Sequence, residues 1–378
     1  MTRLTRLISL TAGIVLMLLA ESSHAEPTMV MVSSFAPGEQ GGIQAFQLQA
    51  ESGTLTAVQR TEGVQNPFFI AVSPDQRFLY SIHAANFGGP DPEQVAAFRL
   101  DARSGKLELL NRQSTKGTAS CYLEVDPTGK SVLVANYSSG NVASYSVRTD
   151  GSLSEPVSFF QHAGTGCDPA RQKAPHAHCF VISPNNKYAY AADLGIDQIV
   201  CYALTPATAN LTPNTQPFVR TPATAGPRHL TFHPNGKCLY VINELANSVT
   251  RYDYLADSGL LIERQTISTL PEGFTGTSHT ADVKITPNGK FLYGTNRGHD
   301  SVAAYRIADD GELSLIEITP SLGKGPQNLA ITADGSLLLC ANMPGNNLAV
   351  FRIGADGALK STGTPVEITG PSCIRILK

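Results

Sequence analysis

The stretch "GPRHLTFHPNGKCLYVINEL", residues 226–245, decides the fold. Apolar and polar residues alternate on both sides of Pro234-Asn235-Gly236, a turn signal, so the stretch reads as two strands of a hairpin. Five more segments have the same form: "AVSPDQRFLYSI", "EVDPTGKSVLVA", "VISPNNKYAYAA", "KITPNGKFLYGT" and "AITADGSLLLCA". A strand with an aromatic residue at a fixed place follows each hairpin, and a seventh copy of it stands near the start of the chain. The seven aromatic positions are Phe46, Phe98, Tyr145, Tyr202, Tyr252, Tyr305 and Phe351. Most units then end in a Gly-x-Leu strand, as in "GKLELL" and "GELSLI". Turn markers recur about every 46 to 57 residues, the spacing of four-stranded propeller blades.

The first copy, residues 29–64, lacks its leading strand, and the C-terminal "GPSCIRILK" matches the start of that strand in other copies. The sequence therefore predicts an all-β, seven-bladed β-propeller over residues 26–378, its ring closed by the C-terminal strand joining the N-terminal blade. Trp is absent and no Gly-His…Trp-Asp pattern occurs, which argues against the WD40 type.

The composition, 42% hydrophobic and 16% charged with 33 Gly and 24 Pro, suits a turn-rich globular protein. A net charge of -3 without a Lys/Arg run leaves no basic footprint, so nucleic acid and anionic membrane are not expected partners. At the start, Arg3 and Arg6 precede an apolar stretch from Leu7 to Ala20 and then Ser23-His24-Ala25. This pattern predicts a signal peptide, residues 1–25, cut after Ala25, with the mature protein periplasmic and free of membrane. A bilayer span usually needs about 20 apolar residues, more than this stretch supplies. Seven Cys is an odd number, so at least one thiol is free or pairs between chains. Cys179, Cys201, Cys238 and Cys340 fall in apolar strand patterns, as small buried hydrophobes do.

The repeats can be aligned on the turn Pro, with Ala333 in its place in the sixth turn, and each column then compared across blades. Nine residues after it stand His83, Asn136, Asp193, Asn243, Asn296 and Asn342, a polar column suited to strand ends. The next column diverges: Ala84, Tyr137, Leu194, Glu244, Arg297 and Met343. So does the column six residues before the Pro: Phe68, Cys121, His178, Arg228, Ala281 and Gln327, with Ser372 at the C-terminus. Pairing about the turn is expected to set the minus-six and plus-nine positions opposite one another at one mouth of the central channel. His178, Arg228, Glu244 and Arg297 should converge there as catalytic residues. His176 and His279 lie two positions further out, and together with Gln327, Asp193 and His229 they are the candidate substrate contacts. An Arg228–Glu244 pair that merely closes the channel and histidines that merely fill it are the plainer alternatives.

Three segments containing these residues, "PHAHCFVISPNNKYAYAADLGIDQIVCY", "GPRHLTFHPNGKCLYVINELANSV" and "HTADVKITPNGKFLYGTNRGHDSVAAY", resemble the propeller-type 6-phosphogluconolactonase family. That family also includes fungal enzymes that cyclise carboxymuconate, and the resemblance spans nearly all of residues 26–378. It implies a lactonase whose His, two Arg and Glu fall on His178, Arg228, Arg297 and Glu244. In "GPQNLAI", Gln327 stands where family members often carry Arg, which removes a positive charge that would help to bind an anionic group. With the leader, this points to an unphosphorylated sugar lactone, D-glucono-1,5-lactone.

In that scheme His178 is the general base on water, Arg228 and Arg297 stabilise the oxyanion, and Glu244 orients an Arg or returns the proton. No Gly-x-Ser-x-Gly elbow and no H-E-x-x-H spacing occurs, so the reading names no cofactor, with a divalent metal as the main rival route. The competing functions are 6-phosphogluconolactonase proper, a muconate-type lactonizing cycloisomerase and a non-catalytic binding propeller.

Overall fold

A computed structural model describes residues 27–378 as seven antiparallel sheets, one per blade. The predicted signal peptide, residues 1–25, lies outside the described residues. Two short 3-10 segments, Gly38–Gln40 and Leu194–Ile196, are the only helical turns among the described residues, none of which forms a helix long and apolar enough to cross a membrane.

The closing strand Pro371–Ile376 pairs with Thr28–Ser34, matching Val30 to Ile376 and Val32 to Ile374, so blade 1 joins the two ends of the chain. The innermost strands of blades 2 to 7 are Phe69–Val72, Ser120–Val125, Ala177–Ile182, Pro227–Phe232, His279–Ile285 and Pro326–Ile331.

The turn chemistry explains why the hairpins recur. Two residues after the turn Pro, or Ala333, the backbone is left-handed in every copy: Gly129, Gly236, Gly289 and Gly335, with Gln76 and Asn186 in the same conformation. Glycine adopts it freely, and asparagine more readily than most side chains. In the second strand, Tyr80, Tyr190, Tyr240 and Tyr293 each donate a hydroxyl hydrogen bond, to the carbonyls of Gly151, Gly259, Gly311 and Gly357 in the following blade. These bonds join blade to blade while satisfying buried phenols. The column four residues before the turn Pro is apolar in all seven blades: Ile70, Leu123, Phe180, Leu230, Val283, Leu329 and Ile374 are all buried. It packs the blades together.

The pairing at the channel mouth differs from expectation by one residue. Pro227 pairs with Asn243 and His229 with Ile242, leaving Arg228 unpaired in a bulge. The same interruption falls at Cys121, His178, Gln327 and Ser372, and blade 6 has a longer one over Ala281 and Asp282. A bulge re-aims one side chain and increases the local twist. Here it turns the minus-six residue toward the mouth, and outside blade 6 the minus-five residue is in register again.

Candidate active site

The bulged residues and the ends of the second strands enclose a cup of about 240 Å³ at one mouth of the channel. His178, Arg228, Glu244, Arg297 and Gln327 all line it, joined by Tyr137 and Arg171. Glu244 is the hub. Its Oε2 accepts from Arg228 Nε at 2.9 Å and lies 2.9 Å from Arg297 Nη2, while its Oε1 accepts from Arg171 Nη2 at 2.7 Å. Burial alone would raise this carboxyl's pKa, but Arg297 and Arg228 outweigh it and hold Glu244 well below the usual carboxylate range. It is therefore ionised, which suits orientation of guanidinium groups better than proton return.

Arg228 is 1% exposed, and burial beside Arg297 lowers its pKa to about 10, so it remains charged at neutrality. Its Nη1 donates to the Ala281 carbonyl, leaving Nη2 without a protein partner among the described residues. Arg297 is braced by the carbonyls of His279 and Thr280, and its Nη1 lies 3.5 Å from Gln327 Oε1. His178 Nδ1 meets Cys121 Sγ at 3.5 Å, and Nε2 has no protein partner among the described residues. Burial first, then Arg228 and His229, push His178 well below the ordinary imidazole range, so the resting ring is neutral.

Three guanidinium groups around one carboxylate leave the cup cationic. Arg171 supplies the charge that Gln327 omits, from a loop between the outer strand of blade 3 and the inner strand of blade 4. The facing wall is apolar: Phe68 and Phe87 stack at 5.1 Å, Phe35 abuts both edge-on, and Met343 adjoins them.

The remaining candidates stand outside the cup. Asp193 is fully buried; it accepts from the amides of His176 and Gly195 and binds His162 at 2.6 Å, so its contacts are those of the structural column it belongs to. His176 stacks on Tyr137 and meets its carbonyl at 3.0 Å, placing the Tyr137 ring instead of contacting the cavity. His279 offers Arg297 its backbone, and its ring Nδ1 is buried without a partner. His229 lies one layer deeper, 2.8 Å from Asp282, its pKa lowered to about 4 by burial and Arg228. Among the described residues no group of three His, Cys, Asp or Glu is placed to hold a metal ion. All seven cysteines are free thiols, and only Cys167 is exposed.

The family model for "Lactonase, 7-bladed beta-propeller" matches residues 29–376. The 6-phosphogluconolactonase of Bacillus subtilis is 34% identical over 348 residues, covering 92% of this chain and 97% of that one. A 6-phosphogluconolactonase of Formosa agariphila is 31% identical, covering 92% and 99%. The solved structure of a periplasmic gluconolactonase from Pseudomonas aeruginosa is similar with a TM-score of 0.87 and 29% identity, covering 93% of this chain and 99% of that one. From its start in blade 1 to the strand that closes the ring, the chain belongs to the seven-bladed β-propeller lactonase family, enzymes that hydrolyse lactones.

Proposed function

We propose that this lactonase opens D-glucono-1,5-lactone to gluconate in the periplasm, using the cup at the channel mouth. The observation that carries the reading is one ionised carboxylate gripped by Arg171, Arg228 and Arg297 beside a neutral imidazole. Lactone hydrolysis needs a base for water, donors for a tetrahedral oxyanion and a proton for the departing ring oxygen.

His178 takes the proton from water at Nε2, and the water oxygen bonds to the carbonyl carbon. The uncommitted Nη2 of Arg228, with Arg297, faces the developing oxyanion. Glu244 holds both guanidinium groups in place before substrate arrives, so little reorganisation is needed in the transition state. The imidazolium then returns its proton to the ring oxygen as the C–O bond breaks.

With the carbonyl against the arginines, the rest of the ring meets Phe68, Phe87 and Met343, a wall with no cation for a phosphate. That wall and the predicted leader favour the plain sugar lactone. Arg171, at the rim, favours a second reading, the 6-phosphorylated lactone. Hydrolysis rates on both, corrected for the spontaneous reaction, separate them: the plain lactone is expected to have the higher kcat/KM, and a large preference for the phosphorylated one would overturn the choice. Absorbance changes with a muconate and no gluconolactone turnover would overturn hydrolysis of this substrate itself.

A further inference from the structure

The opposite mouth of the channel repeats the logic of the first. Three rings from blades 2, 3 and 5 meet across the axis: Phe69 and Tyr122 at 4.5 Å, Tyr122 and His229 at 5.3 Å, Phe69 and His229 at 6.0 Å. They form a plug below the lactonase cup. Two positions further along the inner strands, three residues before the turn Pro, the column reads Ala71, Glu124, Val181, Thr231, Lys284 and Ala330, with Arg375 on the closing strand. Four of the seven are uncharged, so the blade does not require charge here. Glu124, Lys284 and Arg375 are departures that the scaffold leaves unexplained.

Lys284 is accounted for, because its Nζ donates to both oxygens of the buried Asp282 at 2.7 and 2.8 Å. Arg375 is not. Its guanidinium lies 4.8 Å from the Phe69 ring centre, its Nη1 donates to the carbonyl of Ile374, and it makes no ion pair among the described residues. Glu124 is held by the Ile182 amide and the Tyr122 hydroxyl, each at 3.1 Å. Both side chains line a cavity of about 570 Å³ at this mouth, between blades 1, 2 and 3, with Lys378 at its edge. An Arg without a carboxylate, resting on an aromatic face inside a cavity, presents the flat fork that matches a carboxylate bidentately.

We propose that this mouth is a second binding site, for a small carboxylate, built on Arg375 with Glu124 beside it and separated from the lactonase cup by the aromatic plug. Glu124 acts as the neutral partner. It faces Tyr122 on its own strand, Cys179 and the Ile182 amide from blade 4, Lys284 from blade 6 and Arg375 from blade 1, and burial lifts its carboxyl to about 7 against those cations. Protonated, it can donate a hydrogen bond to the bound anion; deprotonated, it competes for Arg375.

The probe is trifluoroacetate, followed by fluorine NMR on the intact protein at pH 6.5. Saturable binding is expected, weakened at least tenfold by Arg375→Gln and unchanged by Arg171→Gln, a variant of the other mouth, with gluconolactone turnover of Arg375→Gln within twofold of the parent. Raising the pH to 8.5 should weaken binding to the parent but not to Glu124→Gln, which gives a second test should Arg375→Gln fail to fold. No saturable binding, loss with Arg171→Gln instead, or indifference to Arg375→Gln alongside the same pH response in Glu124→Gln and the parent would overturn the proposal. The binding outcomes do not depend on which lactone the upper cup hydrolyses.

Discussion

The two halves of the lactonase cup are made from the same columns and have opposite characters. Blades 4 to 6 place His178, Arg228, Glu244 and Arg297 at positions where blades 2 and 7 place Phe68 and Met343. The hairpin turn is shared, so at these column positions the difference lies in side chains, while Arg171 and Phe87 are added from loops outside the columns. A small-molecule site needs a few convergent polar groups to fix orientation and apolar surface to supply binding. The propeller divides those tasks between opposite sides of one ring. It follows that damage to the ionic half should appear in kcat, because its contacts strengthen in the transition state, and damage to the apolar half in KM, because its contacts do not.

Glu244→Gln should have the largest effect, since it leaves Arg171, Arg228 and Arg297 without their shared anion. A fall in kcat/KM of about 10³-fold, roughly 4 kcal/mol, is expected, and a loss below threefold would break the contrast between the halves. Arg228→Lys keeps the charge but loses the fork that reaches Glu244 and Ala281 together. The expected cost is about 10²-fold, roughly 3 kcal/mol, carried by kcat.

Acid titration tests the buried histidine under the cup. His229, neutral with a pKa near 4, binds no proton between that pH and its ordinary value of 6.5, whereas the unfolded chain does, so stability falls as pH drops through that window. The full effect is on the order of 3 kcal/mol. Glu124, raised to about 7, acts in the opposite sense, its contribution diminishing as pH rises from about 4.5. Comparing urea midpoints of the parent and His229→Gln at pH 7 and 4.5 isolates the histidine; equal shifts in both would refute its part.

Phe87→Ala, on the apolar side, should raise KM several-fold, about 1 kcal/mol of lost burial, with kcat within twofold. A fall in kcat matching that in kcat/KM would erase the division of labour. The smallest catalytic effect belongs to Asp193→Asn. Turnover per folded molecule should stay within twofold while the melting temperature drops, because its oxygens serve His162 and the backbone of residues 176 and 195.

Most of the fold was legible because turn Pro, left-handed turn residue and buried aromatic recur in phase with the blade. The ionic half was legible for the complementary reason: where a repeat is otherwise uniform, a departure stands out. The bulge was hidden, because the pairing shift involves backbone hydrogen bonds that leave the residue types of the column unchanged. Arg171 was missed because it sits in a loop outside the aligned columns, although the interval from Pro127 to Pro184 is the longest between turn markers. Phe87 lies in a similar insertion after the second strand of blade 2. Tyr137 stood in a divergent column and was passed over because only charge was sought there. The contacts of Asp193 and His176 were not legible because a polar residue near the mouth can equally serve backbone, and only hydrogen-bond partners distinguish the two uses.

Closure of the ring by residues 371–376 has a consequence for how the molecule comes to exist. Pairing Val30 with Ile376 brings together almost the extreme ends of the chain, a contact of very high sequence separation whose entropy must be met late in folding. Without that strand the molecule would carry six finished blades and one unzipped, with the Thr28–Ser34 edge open to other molecules. Arg375 rides on that strand, so the lower mouth acquires its guanidinium only when the ring closes.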